Sequence, residues 1–245
     1  MFKHFLLLIA IGLVSCTGSR DPSTLVVGLQ ADYPPYEYVD EQGHVVGFDI
    51  EVAQKLADKL GKKLLIKEMG FDALILSLKS HKIDLILSGM SITPDRLKEI
   101  EMVPYQGSKV TDALLLFWKS DGNPIEDLKG KTIAVQSGTI QEQVLRHYGE
   151  IKPKLLENTQ ELVMEIKYGK SDAALVELKV GKEFSHQFPD IHTVVLPLPS
   201  NMQAFGNGIG ISKDNPALKE VIEKSIQELK ESGEITQLER KWFHD

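Results

Sequence analysis

The segment from Ser88 to Arg96 carries the residue types and spacing of an anion-binding site. Thr93 is a residue type that caps helix N-termini, and Pro94 suits the first helical position, where its missing N–H costs nothing. Arg96 then lies in the first turn, beside free backbone N–H groups and the positive end of the helix dipole. Because a guanidinium binds a carboxylate through two parallel hydrogen bonds, the segment favours a carboxylate ligand. The same residues would also form an ordinary capped helix with an exposed arginine.

The N-terminus has the pattern of a bacterial lipoprotein signal. A basic start precedes an apolar run over residues 5–14, which is too short to cross a bilayer about 30 Å thick. The run ends in Leu13-Val14-Ser15-Cys16, which resembles a lipobox, and Cys16 is the only cysteine, so the chain can form no internal disulfide. We predict a signal peptide at residues 1–15, a lipid anchor on Cys16, a tether over 16–23, and a periplasmic or cell-surface location. The alternative is a signal peptide with an incidental cysteine.

Composition excludes several classes of function. The chain has 245 residues and a formal net charge of −7, with no basic run, which argues against nucleic-acid binding. The seven histidines show no paired metal-ligand spacing, and no serine has the surroundings of a hydrolase nucleophile. We therefore expect no metal and no cofactor. After removal of the leader, about 230 residues remain, enough for one large domain or two lobes.

Apolar runs and helical periodicity alternate along the chain and predict two α/β units. In the first unit, strands at 25–28, 64–66 and 83–87 alternate with helices at 48–60 and 71–78. This order indicates a parallel sheet covered by helices. The second unit begins with a strand at 111–118. Its further strands are predicted at 131–135, 154–156, 173–176 and 194–196, and its helices at 139–147, at 159–169 with Thr159 as the cap, and at 177–187.

The C-terminal part returns to a strand and helices after a crossover. Residues 197–210 are rich in Pro, Asn and Gly, a strand follows at 209–211, and amphipathic helices are predicted at 216–230 and 234–242. Two α/β lobes with a cleft between them is the natural interpretation. In such sheets, ligands bind outside the carboxyl ends of the strands.

A set of short motifs, in order along residues 25–243, resembles the periplasmic solute-binding proteins of polar amino acid ABC importers. Within that family the chain resembles arginine-binding and lysine/arginine/ornithine-binding proteins. Each motif is weak alone, and together they are specific. They are Tyr33-Pro34-Pro35-Tyr36-Glu37, Gly47-Phe48-Asp49, Phe71-Asp72-Ala73-Leu74-Ile75, Ser91-Ile92-Thr93-Pro94-Asp95-Arg96, Val135-Gln136-Ser137-Gly138-Thr139, Asp172-Ala173-Ala174-Leu175 and Phe205-Gly206-Asn207-Gly208-Ile209-Gly210.

The resemblance implies a two-lobed type II periplasmic-binding-protein fold. Each lobe would be a mainly parallel sheet flanked by helices, and two hinge strands near 108–111 and 200–206 would join the lobes. Lobe 1 would comprise residues 24–109 and 201–245, and lobe 2 residues 110–200. The implied activity is capture of a free amino acid, L-arginine or another cationic amino acid, by a monomer that delivers it to an ABC permease and is not an enzyme.

The resemblance also implies roles for individual residues. Arg96 would clamp the ligand α-carboxylate, with backbone N–H groups near Ser91 and Thr139. Glu177 would bind the α-ammonium, which Ser88 and Gly89 would share. Tyr33 and Phe71 would enclose the ligand side chain, because guanidinium planes stack on aromatic faces.

Two departures from the family pattern bear on specificity. Gln30 is neutral where related lysine/arginine/ornithine binders carry an acid, so Asp32 or Glu37 would have to meet a distal cation. Gly89 replaces a serine found in some relatives. Because a delocalised guanidinium accepts neutral partners such as Gln136 better than an ammonium does, the first departure favours arginine over lysine.

Two other functions fit the same fold. Some proteins of this fold are dehydratases of cyclic dienols, and others are surface adhesins or sensors. Fold alone does not separate these classes. Turnover of a substrate would identify the first, and failure to bind any free amino acid would favour the second.

Overall fold

The computed structural model describes residues 21–119 and 124–243. The predicted signal peptide, Cys16 and most of the tether lie outside these ranges. The strands are β1 Thr24–Leu29, β2 Asp32–Tyr33, β3 Glu37–Val39, β4 Val45–Val46, β5 Lys63–Glu68, β6 Leu85–Ile86, β7 Glu101–Gln106, β8 Asp112–Trp118, β9 Thr132–Gln136, β10 Lys152–Leu156, β11 Ala173–Glu177, β12 Ile191–Pro197 and β13 Asn207–Ile211. The helices are α1 Phe48–Lys59, α2 Leu74–Lys79, α3 Pro94–Glu99, α4 Ile140–His147, α5 Thr159–Lys167, α6 Leu178–Gln187, α7 Pro216–Glu231 and α8 Glu234–Trp242.

The strands form two five-stranded sheets, each flanked by helices, which confirms the predicted fold class. One sheet has the order β5-β1-β6-β13-β7 and the other the order β10-β9-β11-β8-β12. Each sheet is parallel along one half and antiparallel along the other. A small antiparallel sheet of β2, β3 and β4 is attached to the first.

The chain passes between the two large sheets twice, after β7 and before β13. The two connecting segments pair with each other, since Val110 N donates to Ala204 O at 2.9 Å and Ala204 N donates to Val110 O at 3.2 Å. These paired segments coincide with the predicted hinge strands.

Local sequence signals explain where the helices that matter for the site begin. Thr93 accepts a hydrogen bond from Arg96 N at 3.2 Å, and Pro94 occupies the first position of α3. Thr139 caps α4 in the same way, through Glu142 N at 3.2 Å. Both caps satisfy backbone donors that a helix start leaves free. The two helices are thereby fixed at their N-terminal ends.

Several predicted elements differ from the structure. Thr159 is the first residue of α5, and Asn158 is its cap, because the Asn158 side chain accepts from Gln160 N at 2.8 Å. The predicted helix at 71–78 begins with a 3-10 turn at Phe71–Ala73, and the predicted strand at 83–87 is reduced to Leu85–Ile86. Strands β2, β3, β4 and β7 were not predicted. Three of them have only two or three residues, too few to produce a periodic pattern.

Over residues 21–119 and 124–243, each helix is too short or too polar to cross a lipid bilayer. The same residues contain no group of three or more His, Cys, Asp or Glu side chains arranged to hold a metal ion.

Candidate functional site

A small cavity of about 20 Å³ lies between the two large sheets. Its walls come from the ends of β1 and β6, from the starts of α3 and α4, and from the loops beside them. The lining includes every predicted ligand-binding residue except Glu177. The lining residues are Gln30, Asp32, Tyr33, Glu37, Phe71, Ser88, Gly89, Ser91, Arg96, Gln136, Thr139, Ile140 and Gln141.

Arg96 places a guanidinium in this cavity without an anion beside it. Its Nη1 donates to Ser91 O at 2.7 Å and its Nη2 to Gly138 O at 3.0 Å, so two of its five donors are used. Among the described residues, no carboxylate lies within ion-pair distance of this side chain. Burial lowers the pKa of Arg96 to about 10, and the group stays protonated at neutral pH. A partly buried cation that still has free donors is suited to bind an anion.

Tyr33 and Phe71 form aromatic walls of the cavity. The Arg96 guanidinium carbon lies 5.2 Å from the centre of the Phe71 ring, within cation–π range. Tyr33 stacks on Tyr36, with ring centres 5.7 Å apart and planes 24° from parallel. This support fixes the orientation of the Tyr33 ring at the cavity edge. The two predicted aromatic residues are thus brought to one site.

At another part of the lining, glutamines connect the two sheets. Gln30 Nε2 donates to Glu157 O at 2.6 Å, and Gln136 Nε2 donates to the same carbonyl at 3.2 Å and to Gln30 Oε1 at 3.3 Å. Gln30 Oε1 also accepts from Phe71 N at 2.6 Å. The amides therefore hold the sheets together and orient Phe71. They are less free to bind a ligand than the sequence suggests.

Asp32 is also largely occupied by protein groups. Its Oδ2 accepts from Thr159 N at 2.6 Å and from Gln30 Nε2 at 3.1 Å. Its Oδ1 is buried and has no donor among the described residues. Burial raises the pKa of Asp32 to about 6, against the lowering effect of these hydrogen bonds.

Glu37 lines the cavity and belongs to a buried acid pair with Asp49. Glu37 Oε1 accepts from Ser88 Oγ at 2.7 Å, while Asp49 accepts from Tyr105 Oη at 2.6 Å and from Gly89 N at 2.8 Å. Burial, and then the nearby Asp49 carboxylate, raise the pKa of Glu37 well above its usual value. Asp49 has several donors, and we assign the negative charge to it and the proton to Glu37. A protonated Glu37 donates a hydrogen bond to Asp49 and is a poor partner for a ligand cation.

Gly89 is held against Tyr33 in this part of the site. Its φ is +52°, in the left-handed region, and a Cβ at this position would lie 3.0 Å from the Tyr33 ring. The serine of some relatives would therefore displace the ring or the backbone here. Glycine at this position allows the aromatic wall to approach the Ser88–Gly89 backbone closely.

We expect replacement of Glu37 by glutamine to stabilise the protein increasingly as pH rises. A raised folded-state pKa gives stability that is complete below about pH 4.5 and is lost as pH rises through the folded pKa. Between these limits the free energy of unfolding of the wild type should fall relative to Glu37→Gln by about 1.4 kcal/mol per pH unit. Urea denaturation of both proteins at pH 5 and pH 8 measures this difference. Glu220→Gln, at an exposed position, controls for charge removal, and a pH-independent difference would contradict the protonated Glu37.

The start of α4 contributes two lining residues that sequence reasoning missed, Ile140 and Gln141. They follow the cap residue Thr139, whose hydroxyl donates to Gln136 O at 2.7 Å. The first backbone N–H groups of a helix have no acceptor within the helix, and here they lie on the side of the cavity opposite α3. The predicted start of this helix was the feature of the sequence that could have identified them, because backbone N–H groups are available at a helix start whatever the residue type.

Glu177 is the predicted site residue that does not line this cavity. It caps α6, where its Oε2 accepts from Lys179 N at 2.9 Å and from Val180 N at 3.1 Å. It lines a neighbouring cavity of about 230 Å³ beside the connecting segments, together with Tyr36 and Asn207. Burial raises its pKa, although the two backbone donors oppose this. At this predicted helix start, the Glu177 carboxylate therefore binds backbone N–H groups of its own helix.

Comparison with known proteins finds relatives and similar structures that cover most of the chain. The chain is 41% identical over 225 residues to the probable ABC transporter arginine-binding protein ArtJ of Chlamydia trachomatis, covering 92% of this chain and 88% of that protein. The periplasmic binding protein STM4351 of Salmonella typhimurium, described for high arginine specificity, matches with a TM-score of 0.85 and 28% identity over 90% of this chain and 99% of that one. The ancestral amino acid-binding protein AncCDT-1, a precursor of cyclohexadienyl dehydratase, matches with a TM-score of 0.79 and 30% identity over 91% of this chain and 96% of that one. Residues 25–245 match the family model of bacterial extracellular solute-binding proteins, family 3, and the chain belongs to that family.

Proposed function

We propose that this protein binds free L-arginine between its two lobes and delivers it to an ABC permease. The observation that carries the proposal is the guanidinium of Arg96, which is partly buried beside Phe71 and unpaired with any carboxylate of the described residues. An α-carboxylate would accept its free donors and those of the α4 start on the facing lobe. The names of the arginine-binding relatives support this ligand class.

Specificity for arginine rests on the other parts of the lining. Tyr33 and Phe71 supply aromatic faces on which a planar guanidinium stacks, and the amides of Gln30 and Gln136, already bonded to protein groups, make that part of the lining polar but uncharged. Lysine carries a point charge that needs a carboxylate more strongly. Among the acids of the lining, Glu37 is protonated in our assignment, which leaves Asp32 for that role.

The size of the cavity supports a hinge motion. Its volume of about 20 Å³ holds roughly one water molecule, so an amino acid enters only if the lobes part. The paired segments at Val110 and Ala204 are the proposed hinge, with residues 24–109 and 201–245 in lobe 1 and 110–200 in lobe 2. Binding then favours the closed form because the ligand contacts both lobes there.

We propose that the protein is a membrane-anchored lipoprotein of the bacterial periplasm or cell surface. Removal of residues 1–15 would leave Cys16 as a lipid-bearing first residue, and the tether would join the anchor to the lobes of a monomer. Both the anchor and the permease are inferred from the sequence pattern and from the family.

Isothermal titration calorimetry of the purified protein with arginine, lysine, ornithine, glutamine and histidine tests the proposal. We expect arginine to bind most tightly, because the aromatic walls and neutral amides suit a guanidinium. A higher affinity for glutamine or histidine would overturn the choice of ligand, and binding of no amino acid would overturn the function. The similarity to AncCDT-1 makes dehydration of a cyclic dienol the second candidate, and turnover of such a substrate would favour it.

A further inference from the structure

Asp32 joins the two lobes through only one of its carboxylate oxygens. Its Oδ2 accepts from Thr159 N, 127 residues away in the chain, at 2.6 Å. The side chain is 4% exposed and lines the cavity, and its Oδ1 accepts no hydrogen bond from the described residues. A buried carboxylate oxygen without a donor is costly unless something else satisfies it.

Thr159 is placed to receive this carboxylate. It is the first residue of α5, and Asn158 caps that helix through Gln160 N, which leaves Thr159 N free for an acceptor from outside. The Thr159 hydroxyl also donates to the backbone carbonyl of Asp32. A carboxylate at a helix N-terminus gains from the helix dipole as well as from the hydrogen bond. Asp32 and Thr159 thus form a two-bond connection between the lobes.

We infer that Asp32 couples recognition of the ligand's distal cation to lobe closure, with Oδ1 binding the cation and Oδ2 holding Thr159. The inference rests on the proposed function, since it assigns a second role within the same cavity. In this arrangement the Asp32 side chain contacts the ligand's charged end and the facing lobe at the same time, so binding of the charge stabilises the closed form. Asp32 is a positioning and specificity-determining residue.

The coupling has a direct electrostatic cause. Burial raises the pKa of Asp32 to about 6, so the empty site keeps this carboxylate charged at a cost. A guanidinium against Oδ1 stabilises the charged form and thereby strengthens the charge-assisted bond from Thr159 N–H. A neutral ligand of the same shape would leave Oδ1 without a cation. Closure around it would be weaker.

The first arm of the test compares L-arginine with L-citrulline, which has nearly the same shape but a neutral urea end. Calorimetry on wild type and Asp32→Asn should show arginine affinity falling about 10-fold to 100-fold in the variant, and citrulline affinity changing by less than about 3-fold. Equal losses for both ligands would overturn the charge-detecting role. If the wild type bound no amino acid, the proposed function itself would fail. If it bound arginine and Asp32→Asn matched it, only this inference would fail.

The second arm removes the Thr159 donor without touching the cavity lining. Thr159→Pro deletes the N–H at the first helical position, where proline is tolerated, and Asn158 already has the extended backbone that a following proline requires. Thr159→Ala, which keeps the N–H, is the matched control and should retain most of the arginine affinity. We expect Thr159→Pro to weaken arginine binding about 10-fold and to add no further loss to Asp32→Asn. Additive losses would contradict the coupling.

Small-angle X-ray scattering supplies a readout of closure that does not depend on affinity. With saturating arginine, wild type and Thr159→Ala should become compact, while Asp32→Asn and Thr159→Pro should keep a larger radius of gyration. Thermal denaturation identifies any variant that fails to fold. In that event Asp32→Asn against Thr159→Ala still decides the question, because equal compaction of these two would overturn the inference.

Discussion

Replacing Arg96 with alanine is expected to weaken the binding of amino acids by at least about 30-fold while the fold remains intact. The guanidinium is the cation of the cavity that no carboxylate of the described residues neutralises, and the proposed α-carboxylate would lie buried against it. Loss of one partner of such a buried pair costs about 2–5 kcal/mol, which corresponds to a loss of affinity from about 30-fold to several thousand-fold. Calorimetric titration with L-arginine measures the loss.

Matched controls separate charge from geometry at this position. Arg96→Lys keeps the positive charge but loses the two-pronged geometry, and we expect it to lose about 10-fold in affinity. L-argininamide, which lacks the carboxylate charge, should bind the wild type weakly and should differ little from arginine in Arg96→Ala. Near wild-type affinity of Arg96→Ala for arginine would contradict the assignment. Circular dichroism spectra and urea denaturation confirm that each variant is folded.

Replacing Asp49 with alanine is expected to destabilise the protein by about 3 kcal/mol or more. The residue is fully buried and accepts from Tyr105 Oη and Gly89 N, so its removal leaves a buried and a partly buried donor without an acceptor. The proton that we assign to Glu37 would lose its acceptor as well. Because Gly89 N is one of the freed donors, the Ser88–Gly89 backbone beside Tyr33 should also loosen, and arginine affinity should fall.

Urea denaturation measures this destabilisation, and two variants distinguish its causes. Asp49→Asn keeps the size and one acceptor oxygen, so we expect an intermediate loss. Tyr105→Phe removes the hydroxyl donor and keeps the Asp49 carboxylate, so no donor is left without an acceptor and we expect a smaller loss. A free energy of unfolding for Asp49→Ala within about 1 kcal/mol of the wild type would contradict the structural role of the acid pair.

The sequence predicts well the features that are encoded locally. Thr93 and Pro94 mark the start of α3, and the structure has both in those roles. Thr139 likewise marks α4. Apolar periodicity locates the main strands and helices, because burial against one face imposes a period that is visible in the residue types. These elements alone predict which strand ends and helix starts form the walls of the cavity.

Contacts between distant parts of the chain were not predictable in the same way. The sequence suggested Asp32 as a ligand group. No local pattern indicates that Asp32 Oδ2 lies 2.6 Å from Thr159 N, 127 residues further along the chain. The sequence also suggested Glu177 as a ligand acid, and the structure has this carboxylate capping α6. Backbone donors compete for an acid at a helix start, and residue type alone does not decide which partner prevails.

A crystal structure of the protein with L-arginine would show directly whether Arg96 binds the ligand. We predict that the α-carboxylate lies within hydrogen-bond distance of the Arg96 guanidinium and of backbone N–H groups at the start of α4. We also predict the ligand side chain between Tyr33 and Phe71. A complex in which the carboxylate lies away from Arg96, or in which arginine binds outside the gap between the lobes, would contradict the proposal.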